Sequence, residues 1–379
     1  MSSAAIPSTA MKWAFVSTLG FPPERTGGAQ QSVMALCRAL QATGDTAAIA
    51  CAHQEWTPPG LLSRRPLIRY LAPNAPSRRQ HDGVDQWRFR RFDETGWDAW
   101  AVAIRRWLAR FAPDVVVVDA GLTRDIAALL ASDYRTLVSL RDVEFQAQSR
   151  LASPTPFPSN ATYFANSEFT AVRFREAFDH PCAVIHPAVE QRQFARTAPD
   201  EGERILFINP DPRKGWALTL ELIRQLPMFD FRIQESWPLY SETHAAVQAE
   251  ISKLPNAVFH PTVADVRDAF QDARCLIVPS NWEEAWGRVV TEAQIYGIPV
   301  VAREIGGLPE SVGDGGLVLP VDTDVRGWAD AITSVMTDDG VRDDLIRRGK
   351  THVDTHLASP AAQVRQLRDL AGVSNSPLC

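Results

Sequence analysis

Short apolar segments alternate with segments of helical periodicity along most of the chain. Near the start, Lys12–Thr18 is an apolar run of strand length, and Val33, Leu36 and Leu40 then recur on one helical face. Ala47–Ala52 is the next apolar run, so the chain opens with a strand, a helix and a strand. Alternation of this kind predicts parallel sheets with helices packed on both faces.

A polar, irregular segment around residues 192–203 divides this alternation into two parts. The first part also contains residues 54–95, which are rich in Pro and Arg and give no clear assignment. The remaining predicted strands are Asp114–Asp119, Thr136–Leu140, Tyr163–Ala165, Ala183–Ile185, Arg204–Ile208, Phe231–Gln234, Ala257–His260, Cys275–Val278, Pro299–Ala302 and Leu317–Pro320. The predicted helices are Ala29–Ala42, Trp97–Phe111, Thr123–Ala131, Gly215–Leu226, His244–Leu254, Val263–Gln271, Arg288–Gly297, Val325–Met336 and Val341–Arg348, and Ser167 reads as the N-cap of another.

The pattern predicts two domains, each a parallel sheet covered by helices, at residues 12–190 and 198–355. We expect residues 1–11 to be a disordered tail, and residues 356–379 to form a helix or tail that packs back on the first domain. Because ligands of such sheets bind outside the carboxyl ends of the strands, two sheets facing each other would place a site in the cleft between them.

Composition supports a globular protein and excludes several classes. A chain of 379 residues with 45% hydrophobic and 22% charged residues is of the size expected for two domains. No apolar run approaches the length of a membrane span, and the first residues lack the basic and apolar regions of a secretory signal. The five cysteines are scattered without metal-site spacing and fit a reducing compartment, so a cytoplasmic location is expected.

An arginine-rich stretch, Arg64–Arg91, interrupts a chain whose formal net charge is −6. Aromatic residues are interleaved with it or follow closely. One interpretation is a solvated loop beside the aromatic face of a helix. The other is contact with an anionic partner, either the inner face of a membrane or a phosphorylated acceptor. Nucleic acid is not expected, because the protein is acidic and shows no nucleic-acid motif.

The stretch Pro279–Glu310 carries the strongest chemical signal. It reads as a loop, a helix, a strand, the glycine turn Gly306–Gly307 and the start of another helix. Two helix N-termini therefore follow two strand ends, which is a suitable arrangement for binding a phosphate. Glu284 and Glu292, separated by seven residues, could act as a general acid and base or could bind sugar and ribose hydroxyls. Taken singly, each would be an ordinary surface carboxylate.

Other candidate residues lie at strand ends elsewhere. Lys214 follows a strand and would present a point charge to a phosphate, although it could equally be an exposed lysine at a helix start. Gly27-Gly28 lies at a strand–helix junction and could contact a phosphate or merely form a turn. Arg141 and Asp142 follow a predicted strand and would face the cleft, or would belong to a structural ion pair or a surface loop.

In these motifs the chain resembles the retaining glycosyltransferases of family 4. The resemblance extends from about Lys12 to Arg348 and is most specific in P-S-x-W-E-E-A-W-G-R-V-V-T-E-A, followed by G-I-P-V-V-A and G-G-L-P-E, which contains an E-x7-E element. Supporting motifs are T-G-G-A, P-D-V-V-V, A-N-S-E-F, I-H-P-A-V and K-G. The resemblance implies the GT-B fold, in which two Rossmann-like domains face each other across a cleft.

The resemblance also implies site roles. Glu292 would bind the ribose of a nucleotide-diphosphate-sugar donor, Glu284 the transferred sugar, and Lys214 the diphosphate. Backbone groups of Trp286, Gly287 and Arg288 would assist, with Gly27 and Gly28 across the cleft. Transfer to a glycan, lipid-linked or small-molecule hydroxyl acceptor would form an α-linkage by front-face attack, without metal or cofactor.

Two positions depart from the family pattern. Asn209 stands where many members have an arginine, so Arg213 or Arg288 would have to supply the missing cation. Arg141-Asp142 stands where many members have His-Asp, whose histidine contacts the transferred sugar. Arginine cannot act as a base near neutral pH. These departures keep two alternatives open: a nucleotide-sugar epimerase of GT-B-like fold, and a sugar-nucleotide-binding relative with little or no catalytic activity.

Overall fold

The structure is a computed structural model that describes residues 10–23, 25–53, 76–91, 96–145, 156–187, 189, 202–236, 241–263, 265–357 and 359–373. The chain divides into two compact units. Unit 1 comprises Met1–Asn166, Ala171–Ala188 and Pro360–Cys379, and unit 2 comprises Ser167–Thr170 and Val189–Ser359. Most of the predicted tail, most of the predicted linker, and Arg64, Arg65 and Arg69 lie outside the described residues.

Unit 1 is built on an eight-stranded sheet with the order β3-β4-β2-β1-β5-β6-β7-β8. All neighbouring pairs are parallel except β3 and β4, which form an antiparallel hairpin. The strands are β1 (Lys12–Val16), β2 (Thr46–Ala52), β3 (Ser77–His81), β4 (Val84–Phe89), β5 (Val115–Asp119), β6 (Thr136–Leu140), β7 (Thr162–Ala165) and β8 (Cys182–Val184). The helices are α1 (Gly28–Ala42), α2 (Trp97–Phe111), α3 (Thr123–Leu130), α4 (Glu168–Phe178) and, from the end of the chain, α11 (Pro360–Leu370).

Both faces of this sheet are covered, as continuous apolar strands require. In β5, Val116 and Val118 belong to the core beneath α2 and α3, whereas Val115 and Val117 belong to the core beneath α1 and α11. Alternate residues therefore pack on opposite faces. The doubly wound arrangement brings the carboxyl ends of β1 and β5 together, where the two halves of the sheet diverge.

Unit 2 contains a six-stranded, wholly parallel sheet with the order β11-β10-β9-β12-β13-β14. Its strands are β9 (Arg204–Ile208), β10 (Phe231–Gln234), β11 (Ala257–His260), β12 (Ala273–Val278), β13 (Val300–Arg303) and β14 (Gly316–Leu319). Its helices are α5 (Trp216–Gln225), α6 (Ser241–Ile251), α7 (Arg288–Tyr296), α8 (Leu308–Val312), α9 (Val325–Thr337) and α10 (Asp339–His356). One core lies beneath α5 and α9, and the other beneath α7 and α8.

One sequence prediction about an element is wrong, and the structure assigns one stretch that the sequence left open. The predicted helix Val263–Gln271 is a single 3-10 turn, Val266–Ala269, because the Asp265 side chain caps the Arg267 amide and Phe270 turns into the core. The unassigned stretch contains the β3–β4 hairpin. Of its described arginines, Arg88 is buried and donates to the Pro22 carbonyl oxygen, so it belongs to the interior.

No helix among the described residues is long and apolar enough to cross a membrane.

Candidate active site

Two loops meet at the carboxyl edge of the unit 2 sheet, where β9 and β12 are neighbours. From β9 the chain proceeds to β10 on one side, and from β12 it proceeds to β13 on the other. Such a switch point leaves a crevice in which open parallel sheets bind their ligands. The loop after β9 carries Lys214, and the loop after β12 carries Glu284.

The two loops touch through their backbones at Gly215. This residue has φ +86°, and a Cβ atom there would lie 2.1 Å from the carbonyl oxygen of Pro279. The Asn281 amide also donates to the carbonyl oxygen of Arg213 at 2.8 Å. Only glycine satisfies both the left-handed backbone and the close approach. Gly215 therefore allows the residue before it, Lys214, to reach the neighbouring loop.

Lys214 and Glu284 form an ion pair at the centre of this crevice. Lys214 Nζ donates to Glu284 Oε1, and Ser280 Oγ donates to the same oxygen at 2.8 Å. The two charged side chains are 24% and 13% exposed. A cation and a carboxylate that neutralise each other at a sheet edge can exchange this contact for a ligand that carries both phosphate and hydroxyl groups.

The Gly306–Gly307 turn supports Glu284 from behind. The Gly307 amide donates to the Glu284 carbonyl oxygen at 2.6 Å. A Cβ atom at Gly306 would lie 2.4 Å from that oxygen and 2.7 Å from the Glu284 nitrogen. The predicted glycine turn thus fixes the backbone from which the Glu284 carboxylate extends.

Glu292 lies in the next helix and forms a separate ion pair. Arg288 Nε donates to Glu292 Oε1 at 2.6 Å, and the two side chains are 11% and 9% exposed. Burial raises the pKa of the Glu292 carboxyl above its ordinary value, against the opposing effect of the Arg288 charge. Glu284 and Glu292 therefore have different partners and different environments, which fits different roles better than a shared proton.

The N-terminus of α7 lies between these two carboxylates in the sequence. Gly287 is its N-cap, without a side-chain cap or an acidic residue in the first turn. Trp286 is buried, donates from Nε1 to Thr291 Oγ1 at 2.9 Å and packs against Val353 and Leu357. The Trp286 side chain is thus part of the interior, and only its backbone could contact a ligand.

The two arginines expected to replace the missing family cation both have acidic partners. Arg288 is held by Glu292. Arg213 pairs with Asp211 and lies over the Trp282 ring, with a side chain that is 63% exposed. Burial acts to raise the pKa of the Asp211 carboxyl, but the hydrogen bonds from Arg213 outweigh it and lower that pKa below its ordinary value. Arg213 is thus the more exposed of the two candidates.

Asn209 joins the ends of β9 and β10. Its amide group donates to Ser236 Oγ at 2.9 Å, and its Oδ1 accepts from the Ser236 amide at 2.9 Å. Asn209 is buried and has φ +65°. It therefore holds the start of the Lys214 loop, and its side chain is occupied within the protein.

The remaining predicted site residues lie in unit 1. Gly27 is the N-cap of α1 and Gly28 its first residue, again without a side-chain cap or an acid in the first turn. Arg141 follows β6 and donates from Nε to Asp119 Oδ2 at 2.7 Å. Asp142 Oδ1 accepts from the Glu144 amide at 3.0 Å. Arg141 is thus part of a buried ion pair with Asp119.

Several residues that shape these contacts were not singled out from the sequence. Ser280 could have been noticed, because the P-S pair precedes Glu284 by four residues in the recognised motif. Asp119 ends a predicted strand next to the one before Arg141, so their contact follows from adjacency of the two strands. The sequence gives no signal for Ser236 or for the contact between Arg213 and Trp282.

Within the parts of the chain that the structure describes, no group of three or more His, Cys, Asp or Glu side chains could hold a metal ion.

The two doubly wound parallel sheets and their helices constitute the GT-B fold. The chain superposes on a glycosyltransferase from Rickettsia africae with a TM-score of 0.73 and 14% identity, over 96% of this chain and 98% of that one. Sucrose-phosphate synthase from Thermosynechococcus elongatus gives 0.74 and 19%, over 95% and 98% of the two chains. Anabaena HepE in complex with UDP-glucose gives 0.73 and 14%, over 96% and 99%.

At the level of sequence, residues 192–352 match the family model described as glycosyl transferases group 1. A D-inositol 3-phosphate glycosyltransferase from Nocardioides is 46% identical over 74 residues, which are 19% of this chain and 16% of that protein. Its counterpart from Paenarthrobacter aurescens is 36% identical over 110 residues, or 28% and 27% of the two proteins. The alignments therefore span about a quarter or less of these relatives, and the matched family segment contains Lys214, Glu284 and Glu292.

Proposed function

We propose that this protein is a retaining glycosyltransferase that transfers a sugar from a nucleotide-diphosphate sugar to an acceptor hydroxyl, forming an α-linkage. The observation that carries the proposal is the contact of Lys214, Glu284 and Ser280 at the switch point of the unit 2 sheet. The match to the glycosyl transferases group 1 model over the same segment supports it. So does the fold shared with HepE, whose structure contains UDP-glucose.

In this proposal the ion pairs of unit 2 open when the donor binds. Lys214 transfers its contact from Glu284 to the diphosphate, and Glu284 becomes an acceptor for hydroxyls of the transferred sugar. Glu292 binds the ribose hydroxyls. The exchange keeps an anion beside the lysine, since a phosphate replaces the Glu284 carboxylate, and it leaves that carboxylate to accept hydrogen bonds from neutral hydroxyls.

The chemical step asks little of the side chains beyond position and charge. The acceptor oxygen bonds to the anomeric carbon on the face from which the diphosphate leaves. The bond from that carbon to the phosphate oxygen breaks, and the hydroxyl proton passes to the departing phosphate. Lys214 and the amides at the α7 N-terminus stabilise the charge on the diphosphate. No metal or cofactor is assigned a role.

The first experiment identifies the donor. A thermal-shift screen across UDP-, GDP-, dTDP- and ADP-sugars should show stabilisation by one nucleotide class, because a ligand that binds only the folded state raises its stability. The selected donor is then incubated with an acceptor panel that includes D-inositol 3-phosphate. Acceptor-dependent release of the nucleoside diphosphate supports transfer. Conversion of the donor sugar without acceptor would indicate an epimerase, and binding without turnover a non-catalytic relative.

The role of Lys214 is tested by Lys214→Met, with Lys253→Met as the control at an exposed lysine of the same unit. Loss of a hydrogen bond to a charged group should weaken nucleoside-diphosphate binding by about 10- to 100-fold. Nucleoside binding should be unchanged, since it lacks the phosphates. Equal losses for nucleoside and diphosphate, or an equal loss in the control, would remove the phosphate role.

We also propose that the described part of the arginine-rich stretch contacts an anionic surface. Arg78 and Arg79 are exposed on the edge strand β3, and Arg91 is exposed after β4. Arg78 lies over the Trp87 ring and pairs with Asp85. These positions suit a peripheral contact with an anionic membrane that is sensitive to salt.

A further inference from the structure

A buried ion pair lies at the carboxyl edge of the unit 1 sheet. Asp119 is the last residue of β5 and Arg141 follows β6, the neighbouring strand. Arg141 Nε donates to Asp119 Oδ2 at 2.7 Å, and the side chains are 10% and 1% exposed. Asp119 Oδ1 is buried and accepts no hydrogen bond in the described part of the chain. Among the residues that the structure describes, the Arg141 guanidinium is the only ion-pair partner of this carboxylate.

The two terminal nitrogens of the Arg141 guanidinium donate no hydrogen bond to Asp119. Of its five N–H donors, only the one on Nε has a partner among the residues described. Neither terminal nitrogen is among the buried atoms that lack a partner, so both reach the surface of the unit. A side chain nine-tenths buried thus presents the two coplanar NH2 groups of its guanidinium at the edge of the sheet.

The backbone around this pair is fixed as well. The Leu122 amide donates to Thr18 Oγ1 at 3.0 Å, and Ser17 Oγ donates to the Ala120 carbonyl oxygen at 3.2 Å. These contacts tie the loop after β5 to the end of β1, at the switch point of the sheet. Arg141 therefore stands beside the crevice in which a doubly wound sheet binds ligands.

We propose that Arg141 binds an anionic group, a carboxylate or a phosphate, on a substrate of this enzyme. The proposal rests on the proposed glycosyl transfer and narrows the substrate class to a nucleotide-hexuronate donor or a phosphorylated acceptor. Arginine only donates and stays charged, and its fork matches the two oxygens of such a group. Asp119 already neutralises the charge, so the preference arises from directed hydrogen bonds. Asp119 is a positioning residue in this scheme.

The test compares charged and uncharged forms of each substrate. One arm measures kcat/KM for the hexose and hexuronate of the nucleotide selected by the thermal-shift screen. The other compares inositol with D-inositol 3-phosphate as acceptors. Wild type should prefer the charged form in one arm, and Arg141→Gln should lower that preference by about 10- to 100-fold. Arg105→Gln, an arginine of α2 that pairs with Asp133, is the matched control and should retain the preference.

Because Arg141→Gln leaves Asp119 without its cation, the variant could lose activity through misfolding. The double variant Asp119→Asn/Arg141→Gln removes both charges and should recover the unfolding midpoint, yet it should still lack the preference. Recovery of the preference in the double variant would show that the pair is structural only and overturn the proposal. Absence of any charged preference in wild type, in both arms, would overturn it too.

The Arg141 proposal can be wrong while the proposed glycosyl transfer is right, and the two failures give different results. Binding of the bare nucleoside diphosphate depends on unit 2 and should be equal in wild type and Arg141→Gln. If that binding is intact and transfer proceeds with no charged preference, the Arg141 inference is wrong and glycosyl transfer stands. If no nucleotide binds wild type, the proposed function itself has failed.

Discussion

Replacing Gly306 with alanine would displace the backbone of Glu284. The glycine has φ +61°, and the added Cβ atom would meet backbone atoms of Glu284 at 2.4 and 2.7 Å. Backbone atoms cannot move aside as the end of a flexible side chain can. Either the glycine turn or the Glu284 loop must shift, and the Gly307 hydrogen bond to the Glu284 carbonyl oxygen would lengthen or break.

The magnitude follows from two contributions. A left-handed conformation costs an L-residue roughly 1–2 kcal/mol. Forcing an extra carbon into a packed region costs about 1–3 kcal/mol more. Gly306→Ala should therefore lower the free energy of unfolding of unit 2 by about 2–5 kcal/mol, on the sum of these two effects.

Gly297 provides a matched control in the same unit. It has φ +80°, but the nearest atom to its added Cβ would be 3.6 Å away, which is an ordinary contact. Gly297→Ala should therefore show only the conformational cost, roughly 1–2 kcal/mol. The difference between the two variants isolates the overlap with the Glu284 loop.

Urea unfolding and steady-state kinetics measure the two consequences separately. The relevant unfolding midpoint is the one that the nucleotide shifts, since a chain with two units need not unfold in one step. A misplacement of Glu284 by about 1 Å should reduce kcat by roughly 100-fold in Gly306→Ala. Our account of the turn would be refuted by equal midpoints and equal kcat values in Gly306→Ala and Gly297→Ala.

Three further predictions concern charge. Because burial raises the pKa of Glu292 above its ordinary 4.5, the folded state binds that proton more tightly, and the stability of the protein falls as pH rises from 4.5 through the raised value. In urea titrations over this pH window, the unfolding free energy of Glu292→Gln should therefore rise relative to that of wild type. A difference between the two proteins that stays constant with pH would contradict this prediction. Arg368 donates to the fully buried Asp45, so Arg368→Gln should lower the free energy of unfolding by about 3–5 kcal/mol. The loss should appear as a lower thermal midpoint, and adding Asp45→Asn to the same chain should partly restore that midpoint. The double variant Arg78→Gln/Arg79→Gln should cosediment less with anionic vesicles, and its binding should depend less on salt. Identical binding by wild type and variant would show that β3 is an ordinary solvated edge strand.

The elements that sequence predicted well are those with continuous apolar strands or a sustained helical face. Trp97–Phe111 and Thr136–Leu140 begin and end where predicted, and Ser167 Oγ accepts from the Thr170 amide as an N-cap should. The β3 strand escaped prediction because it is an exposed edge, with arginines and polar side chains where alternation would need apolar ones.

In the candidate site, the contiguous motif was predictable from sequence and the contacts between distant residues were not. The spacing of Glu284 and Glu292 was readable, because it belongs to a contiguous motif. The sequence could not show whether Arg213 or Arg288 supplies the missing cation. Each pairs with an acidic residue a few positions away, and such pairing depends on side-chain conformation. Contacts between distant loops, such as Lys214 with Glu284, depend on the backbone approach at Gly215 and are visible only in three dimensions.

The last helix has a consequence for the order in which the protein can mature on the ribosome. Val364 and Leu367 of α11 complete the core beneath α1, at the opposite end of the chain. Synthesis proceeds from the N-terminus, and domains generally fold as they emerge. Every strand of unit 2 is made before α11 appears, so the part of this core that α11 covers stays exposed through that interval. We expect nascent chains that stop short of residue 360 to be the form of this protein most in need of a chaperone.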